Sequence, residues 1–106
     1  MQLSTELAGD VGVVLLRGDV DAITAPKLEE TATQMLGDGA RSLVLDCQHV
    51  TFIDSAGLRA MIDAHNRARA NGGTVTVRRP TAITLRLLQI TALDTVLVVE
   101  DPRTAD

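Results

Sequence analysis

The segment Ile53-Asp54-Ser55-Ala56-Gly57 sets a hydroxyl beside a carboxylate and follows both with small residues. Such a set is compatible with nucleophilic catalysis or with phosphoryl acceptance. A nucleophile elbow has the form G-x-S-x-G, and here the first position is Ile53. The chain has two histidines, His49 and His65. On one helix, the ten residues from Ser55 to His65, at about 1.5 Å each, put the pair roughly 15 Å apart. His49 reaches Ser55 only if its loop folds back, and no third partner is apparent. These residues argue against a hydrolase, and no catalytic residue is expected.

Asp46, Cys47 and His49 are close in sequence, but Asp46 and Cys47 point to opposite faces of a continuing strand. Neither C-x-x-C nor H-x-x-x-H occurs. A buried cysteine at a strand end and a surface histidine account for them. No G-x-x-x-x-G-K-[ST] is present, and Gly72-Gly73 reads as a helix stop. No metal-binding or cofactor-binding residue is expected. From Arg59 to Arg86 there are six arginines against one acid, Asp63. A solvated face explains that run more simply than an anion patch.

Ser55 has two readings. It and Asp54 suit a helix start, where either side chain caps free N–H groups. An exposed serine there also suits phosphorylation, which adds about -1.5 to -2 charge at pH 7. Helix N–H groups and the dipole stabilise that charge locally. A partner surface fitted to a neutral hydroxyl and an acid then meets excess negative charge, and like charges cost several kcal/mol.

The elements that position these residues follow from pattern. Gln2–Leu7 and Val11–Leu16 flank Gly9-Asp10 and predict an antiparallel hairpin. Thr24 is the expected cap of a helix with Pro26 in its first turn. Its apolar stripe is Leu28, Ala32, Met35 and Leu36, and it ends at Gly37 and Gly39. The apolar run in Ser42–Cys47 predicts a strand covered on both faces. Asp54 or Ser55 opens a second helix that ends near Asn71-Gly72-Gly73, with Gly57, Ala60, Ala64 and Ala68 as a small-residue face. Thr74–Arg78 is a strand. Pro80-Thr81 starts a third helix with Ile83, Leu87 and Ile90 on its apolar side, and Thr95–Val99 is the last strand. The order β-β-α-β-α-β-α-β implies an α/β domain with a mixed, largely parallel sheet.

Composition bounds the rest. The chain has 106 residues, which fits one domain over 1-106, with a polar tail over 100-106. Phe52 is the single aromatic, so the chain lacks rings on which bases stack, and a net charge of -4 argues against phosphate-backbone binding. No nucleic-acid partner is expected. One cysteine cannot form an internal disulfide, which fits a reducing compartment. Met1 to Asp10 lacks a signal-peptide pattern, and no apolar run approaches the ~20 residues of a membrane span. A cytoplasmic domain without membrane insertion is expected, and a monomer, since no extra apolar stripe is visible.

Val50-Thr51-Phe52-Ile53 followed by Asp54-Ser55-Ala56-Gly57-Leu58 resembles the signature of the bacterial anti-sigma factor antagonists, the STAS domain family. Gly18-Asp19-Val20-Asp21, Thr24-Ala25-Pro26-Lys27-Leu28, Asn71-Gly72-Gly73 and Leu87–Asp94 are similar to family segments in the same order. The resemblance implies a STAS-like single domain that is not an enzyme and needs no cofactor. It implies that the unphosphorylated form binds an anti-sigma factor, often a serine kinase, and so frees a sigma factor. That kinase uses ATP to phosphorylate the antagonist and switch binding off, and a phosphatase restores it. By position the phosphoacceptor is Ser55, and the partner-binding residues are Asp21, Asp54, Ser55, Gly57 and Leu58. Two departures stand out. Ala92 replaces a frequent glycine, and the end of the chain implies a C-terminal helix that is short or absent. Within the same fold, two other roles stay open: an interaction subunit of a transporter or lipid-trafficking complex, and a nucleotide- or anion-sensing module.

Overall fold

A computed structural model describes residues 1–100. Strand β1 (Gln2–Ala8) turns into β2 (Val11–Val20), and the two pair antiparallel from Gln2↔Arg17 to Ala8↔Val11. Gly9 supplies the positive φ (+63°) that a two-residue hairpin turn requires. Helix α1 (Ala25–Gly37), strand β3 (Ser42–Ile53), helix α2 (Ser55–Ala70), strand β4 (Val75–Arg78) and helix α3 (Ala82–Ile90) follow. A 3-10 turn (Leu93–Thr95) leads into β5 (Val98–Glu100). This is the expected element order. The sheet runs β1-β2-β3-β4-β5, antiparallel between β1 and β2 and parallel thereafter.

Spatial order equals chain order, so every parallel crossover steps in one direction. Right-handed crossovers then put all three helices on one face. Exposure agrees: Val14, Leu16, Leu43, Leu45, Val75 and Val77 are at most 2% exposed, while Leu15 and Val98, on the other face, are 44% and 48% exposed. The shortest dimension is 20 Å, which fits two layers at the usual spacing of about 10 Å. The expectation that Ser42–Cys47 is covered on both faces is therefore corrected. Val44 is only half-buried, packed sideways between its register partners Val13 and Thr76. An apolar run reads alike whether a helix or neighbouring side chains shelter its second face.

Other expectations shift locally. Strand β2 runs on to Val20 and β3 to Ile53, with register shifts between Leu15 and Arg17 and between Gly18 and Asp19. The stripe of α1 packs as expected, with Leu28 and Ala32 fully buried. On α2 the small face Gly57, Ala60, Ala64 and Ala68 is buried throughout, and the helix packs against both α1 and the sheet. On α3 the predicted apolar side holds only at Leu87, which packs half-buried against the core: Ile83 and Ile90 are exposed, and Thr84 and Leu88 face inward. Thr84 is tolerated there because its hydroxyl meets Thr81 Oγ1 at 2.9 Å. The final strand begins at Val98 because Leu93–Thr95 is spent in the 3-10 turn. Glu100 belongs to β5. The expected tail beyond it and any C-terminal helix lie outside the described residues.

Candidate functional site

The last register pair between β2 and β3 is Val20↔Ile53. One residue further, the two strands leave the sheet as Asp21 and Asp54. Asp54 N–H donates to the Val20 carbonyl at 3.3 Å, and Thr51 Oγ1 donates to Asp19 Oδ1 at 2.6 Å. These bonds fix the 21–24 turn beside the start of α2. Gly57 completes the join. A Cβ there would run into the Val20 carbonyl oxygen and stand 2.8 Å from Ile53 Cγ1, so only glycine lets α2 approach β2 this closely.

Asp54 is the cap of α2. Its backbone is extended (φ -112°, ψ -172°), and its Oδ1 accepts the Gly57 N–H at 3.0 Å. Its carbonyl accepts the Leu58 N–H at 3.0 Å. Ser55 is the first helical residue; it is exposed, and its hydroxyl makes no hydrogen bond among the described residues. Sequence left the cap open between these two residues, and the geometry assigns it to Asp54.

Asp21 organises the adjoining turn. Its Oδ1 accepts the N–H groups of Ile23 (3.0 Å) and Thr24 (3.1 Å) and the Thr24 hydroxyl (3.2 Å). Thr24 Oγ1 in turn accepts the Asp21 N–H at 2.9 Å. Thr24, the expected cap of α1, makes no side-chain cap bond to that helix. Asp21 does the capping work three residues earlier, because Ala22–Thr24 form a turn that leads into α1. The Thr24 N–H, helped by the Thr24 hydroxyl and the Ile23 N–H, holds the Asp21 carboxyl below its ordinary value against slight desolvation.

Five residues were expected to meet a partner. Ser55 is exposed, and Asp21 and Asp54 are half-buried, all at the C-terminal edge of the parallel strands. Gly57 and Leu58 are buried, and they serve that edge by holding α2 against the sheet. Sequence reasoning missed Ile23, which is 88% exposed in the turn that Asp21 organises, and did not place Phe52, half-exposed two residues before Asp54. The available signal was an isoleucine within the polar turn Asp21-Ala22-Ile23-Thr24.

Among the described residues, the side chains considered for nucleophilic or metal chemistry lie apart. Ser55 and His65 lie on the same helix, with Ser55 at its exposed start and His65 buried. Cys47 is wholly within the core, where burial and then the neighbouring Asp46 charge push its thiol up to about 12. Among the described residues no group of three His, Cys, Asp or Glu side chains is placed to hold a metal, and no helix is long and apolar enough to cross a membrane.

Comparison with known proteins adds four findings. An anti-sigma-B factor antagonist of Staphylococcus aureus is 28% identical over 88 residues, covering 83% of this chain and 82% of that protein. The crystal structure of an anti-sigma factor antagonist from Mycobacterium paratuberculosis superposes with a TM-score of 0.83 at 27% identity, covering 93% of this chain and 84% of that one. The antagonist SpoIIAA shares the fold at 14% identity. Its unphosphorylated form has a TM-score of 0.82 (98% of this chain, 92% of that one), and its phosphorylated form 0.75 (98% and 96%). The family model described as "Mlab, STAS domain" matches residues 3–100, so the chain belongs to the STAS domain family.

Proposed function

We propose that this chain is an anti-sigma factor antagonist whose binding is switched off by phosphorylation of Ser55. The carrying observation is the free, exposed Ser55 hydroxyl at the start of a helix already capped by Asp54. A serine with no structural task at a fixed, accessible place suits modification. The relatives named as antagonists support the binding role, and SpoIIAA shows that this fold exists with and without phosphate.

The unphosphorylated edge offers Ser55, the Asp21 and Asp54 carboxylates and the apolar side chain of Ile23 to an anti-sigma factor. Binding sequesters that factor and frees its sigma factor. The anti-sigma factor acts as a serine kinase: Ser55 Oγ attacks the γ-phosphorus of ATP, the bond to the β-phosphate oxygen breaks, ADP leaves, and the hydroxyl proton passes to a base on the kinase. Phosphate at Ser55 then sits next to the Asp54 carboxylate and near that of Asp21. The N–H groups of Ser55 and Ala56 remain open to it, since Asp54 occupies those of Gly57 and Leu58. The helix thus tolerates the charge while a complementary partner surface does not. A phosphatase hydrolyses the ester and restores binding. Partners of this kind place the work in the cytoplasm.

Incubation with such a kinase and ATP, followed by mass spectrometry, is expected to find the phosphate on Ser55. Phosphate mainly on another residue would contradict the assignment.

A further inference from the structure

The open face of the sheet, away from the helices, carries a concavity of about 240 Å³ that Ser55 does not line. Arg17, Ser4, Asp46, Gln48, His49 and Arg79 are among its lining residues. Asp46 is 3% exposed, an unusual state for a carboxylate, and it is held by guanidiniums from both Arg78 (3.2 Å) and Arg79. The Gln48 N–H donates to its other oxygen at 3.1 Å. Arg79 reaches Asp46 from a left-handed backbone (φ +51°), rare for a long side chain, and is pinned there by its N–H on the Glu100 carbonyl at 2.8 Å. Arg17 has no carboxylate partner among the described residues and sits beside His49 in the β2–β3 register.

Two guanidiniums therefore hold the Asp46 carboxylate and a third, that of Arg17, lines the same concavity, in a chain whose net charge is -4. Glu6 and Glu100 lie on the same face but do not line the concavity. Each guanidinium has five donors, so the bond to Asp46 positions Arg79 without exhausting it. Fixing a long side chain beforehand removes an entropy cost that a ligand otherwise meets on binding. The volume is below the roughly 300–1,000 Å³ of pockets for drug-sized ligands. We infer that this concavity is a binding site for a small phosphate-type oxyanion, either free orthophosphate or the phosphate end of a small phosphomonoester. Arg17, from β2, and Arg79, from the end of β4, grip the oxyanion, and Ser4, Gln48 and His49 supply further hydrogen bonds. The site is independent of the Ser55 assignment.

The test titrates the full, unphosphorylated chain with orthophosphate and, in a parallel arm, with glycerol 3-phosphate, at low salt. Heat and backbone amide shifts are read together. Saturable binding with a Kd of about 1 mM or tighter is expected, with shifts centred on Arg17, Gln48 and His49. Arg17→Gln and Arg79→Gln are each expected to weaken it by about tenfold or more. Ser55→Ala is expected to leave it unchanged, which separates this site from the start of α2. Tighter binding of the ester would make a phosphomonoester the ligand, and tighter orthophosphate would make it the free ion; either supports the site. Arg17 lies outside the Asp46 ion pairs, so Arg17→Gln should fold normally and keeps the test decisive if Arg79→Gln does not. No saturation by about 10 mM, equal competition by chloride, or binding lost in Ser55→Ala but kept in Arg17→Gln would overturn the inference.

Discussion

At the start of α2, two side chains are chemically fit to cap the same free N–H groups, and backbone geometry decides between them. Asp54 has the extended conformation of a cap residue, which aims its carboxylate back at the Gly57 N–H. Ser55 is already helical, so its hydroxyl points outward. Sequence could not separate the two, because Asp and Ser have nearly equal cap preference. It could show the pair, the following glycine and the helix start, which is why Ser55 was legible as a candidate. Ile23 was less legible because exposure of one apolar residue in a turn depends on how Asp21 folds that turn. Asp54→Ala is expected to cost about 1 kcal/mol of stability, and Ser55→Ala less than about 0.5 kcal/mol, by urea unfolding. Equal losses would make Ser55 a structural serine and remove the argument that it is free for modification.

At the scale of elements, periodicity found each helix and strand but not always the face it buries. On α1 and α2 the apolar or small stripe has one continuous partner, so pattern and packing agree. On α3 the nine residues include two apolar sides, and the sheet takes Leu88 with Thr84 rather than Ile83 with Ile90. A threonine that satisfies its own hydroxyl passes for an apolar residue, which a hydrophobicity pattern does not register. Ala92 carries a different lesson. It lies between α3 and the 3-10 turn at φ +59°, the left-handed region that penalises a Cβ. Ala92→Gly is therefore expected to raise stability by about 1 kcal/mol, read as a rise of roughly 4–8 °C in Tm. An unchanged or lower Tm would show that the turn bears no such penalty.

For the molecule as a whole, the layers hold buried groups that oppose acid. Burial and then the Arg69 charge push His65 below its ordinary 6.5, so the folded ring stays neutral while the unfolded ring gains a proton as pH falls below that value. Burial raises the Asp46 carboxyl, but the Arg79, Gln48 N–H and Arg78 bonds outweigh it and bring it below the ordinary 3.8. Both groups have depressed values in the fold. The stability each contributes is present above its unfolded value and is lost as pH falls through the folded one. Urea midpoints are expected to fall in two stages between about pH 7 and pH 3, with His65→Leu removing the first and Asp46→Asn reducing the second, to which the lowered Asp21 carboxyl also contributes. A midpoint independent of pH in this range would contradict that assignment. The same two-layer body suits a switch made by charge alone, since Ser55 is already exposed to a partner. The most direct measurement is the affinity of an anti-sigma factor for the unmodified chain, Ser55→Ala and Ser55→Asp, with circular dichroism on each. Similar spectra are expected throughout, with near-equal binding of the first two and a loss of about a hundredfold for Ser55→Asp, the scale of a few kcal/mol of like-charge repulsion. Equal affinity for Ser55→Asp and Ser55→Ala would contradict the charge switch.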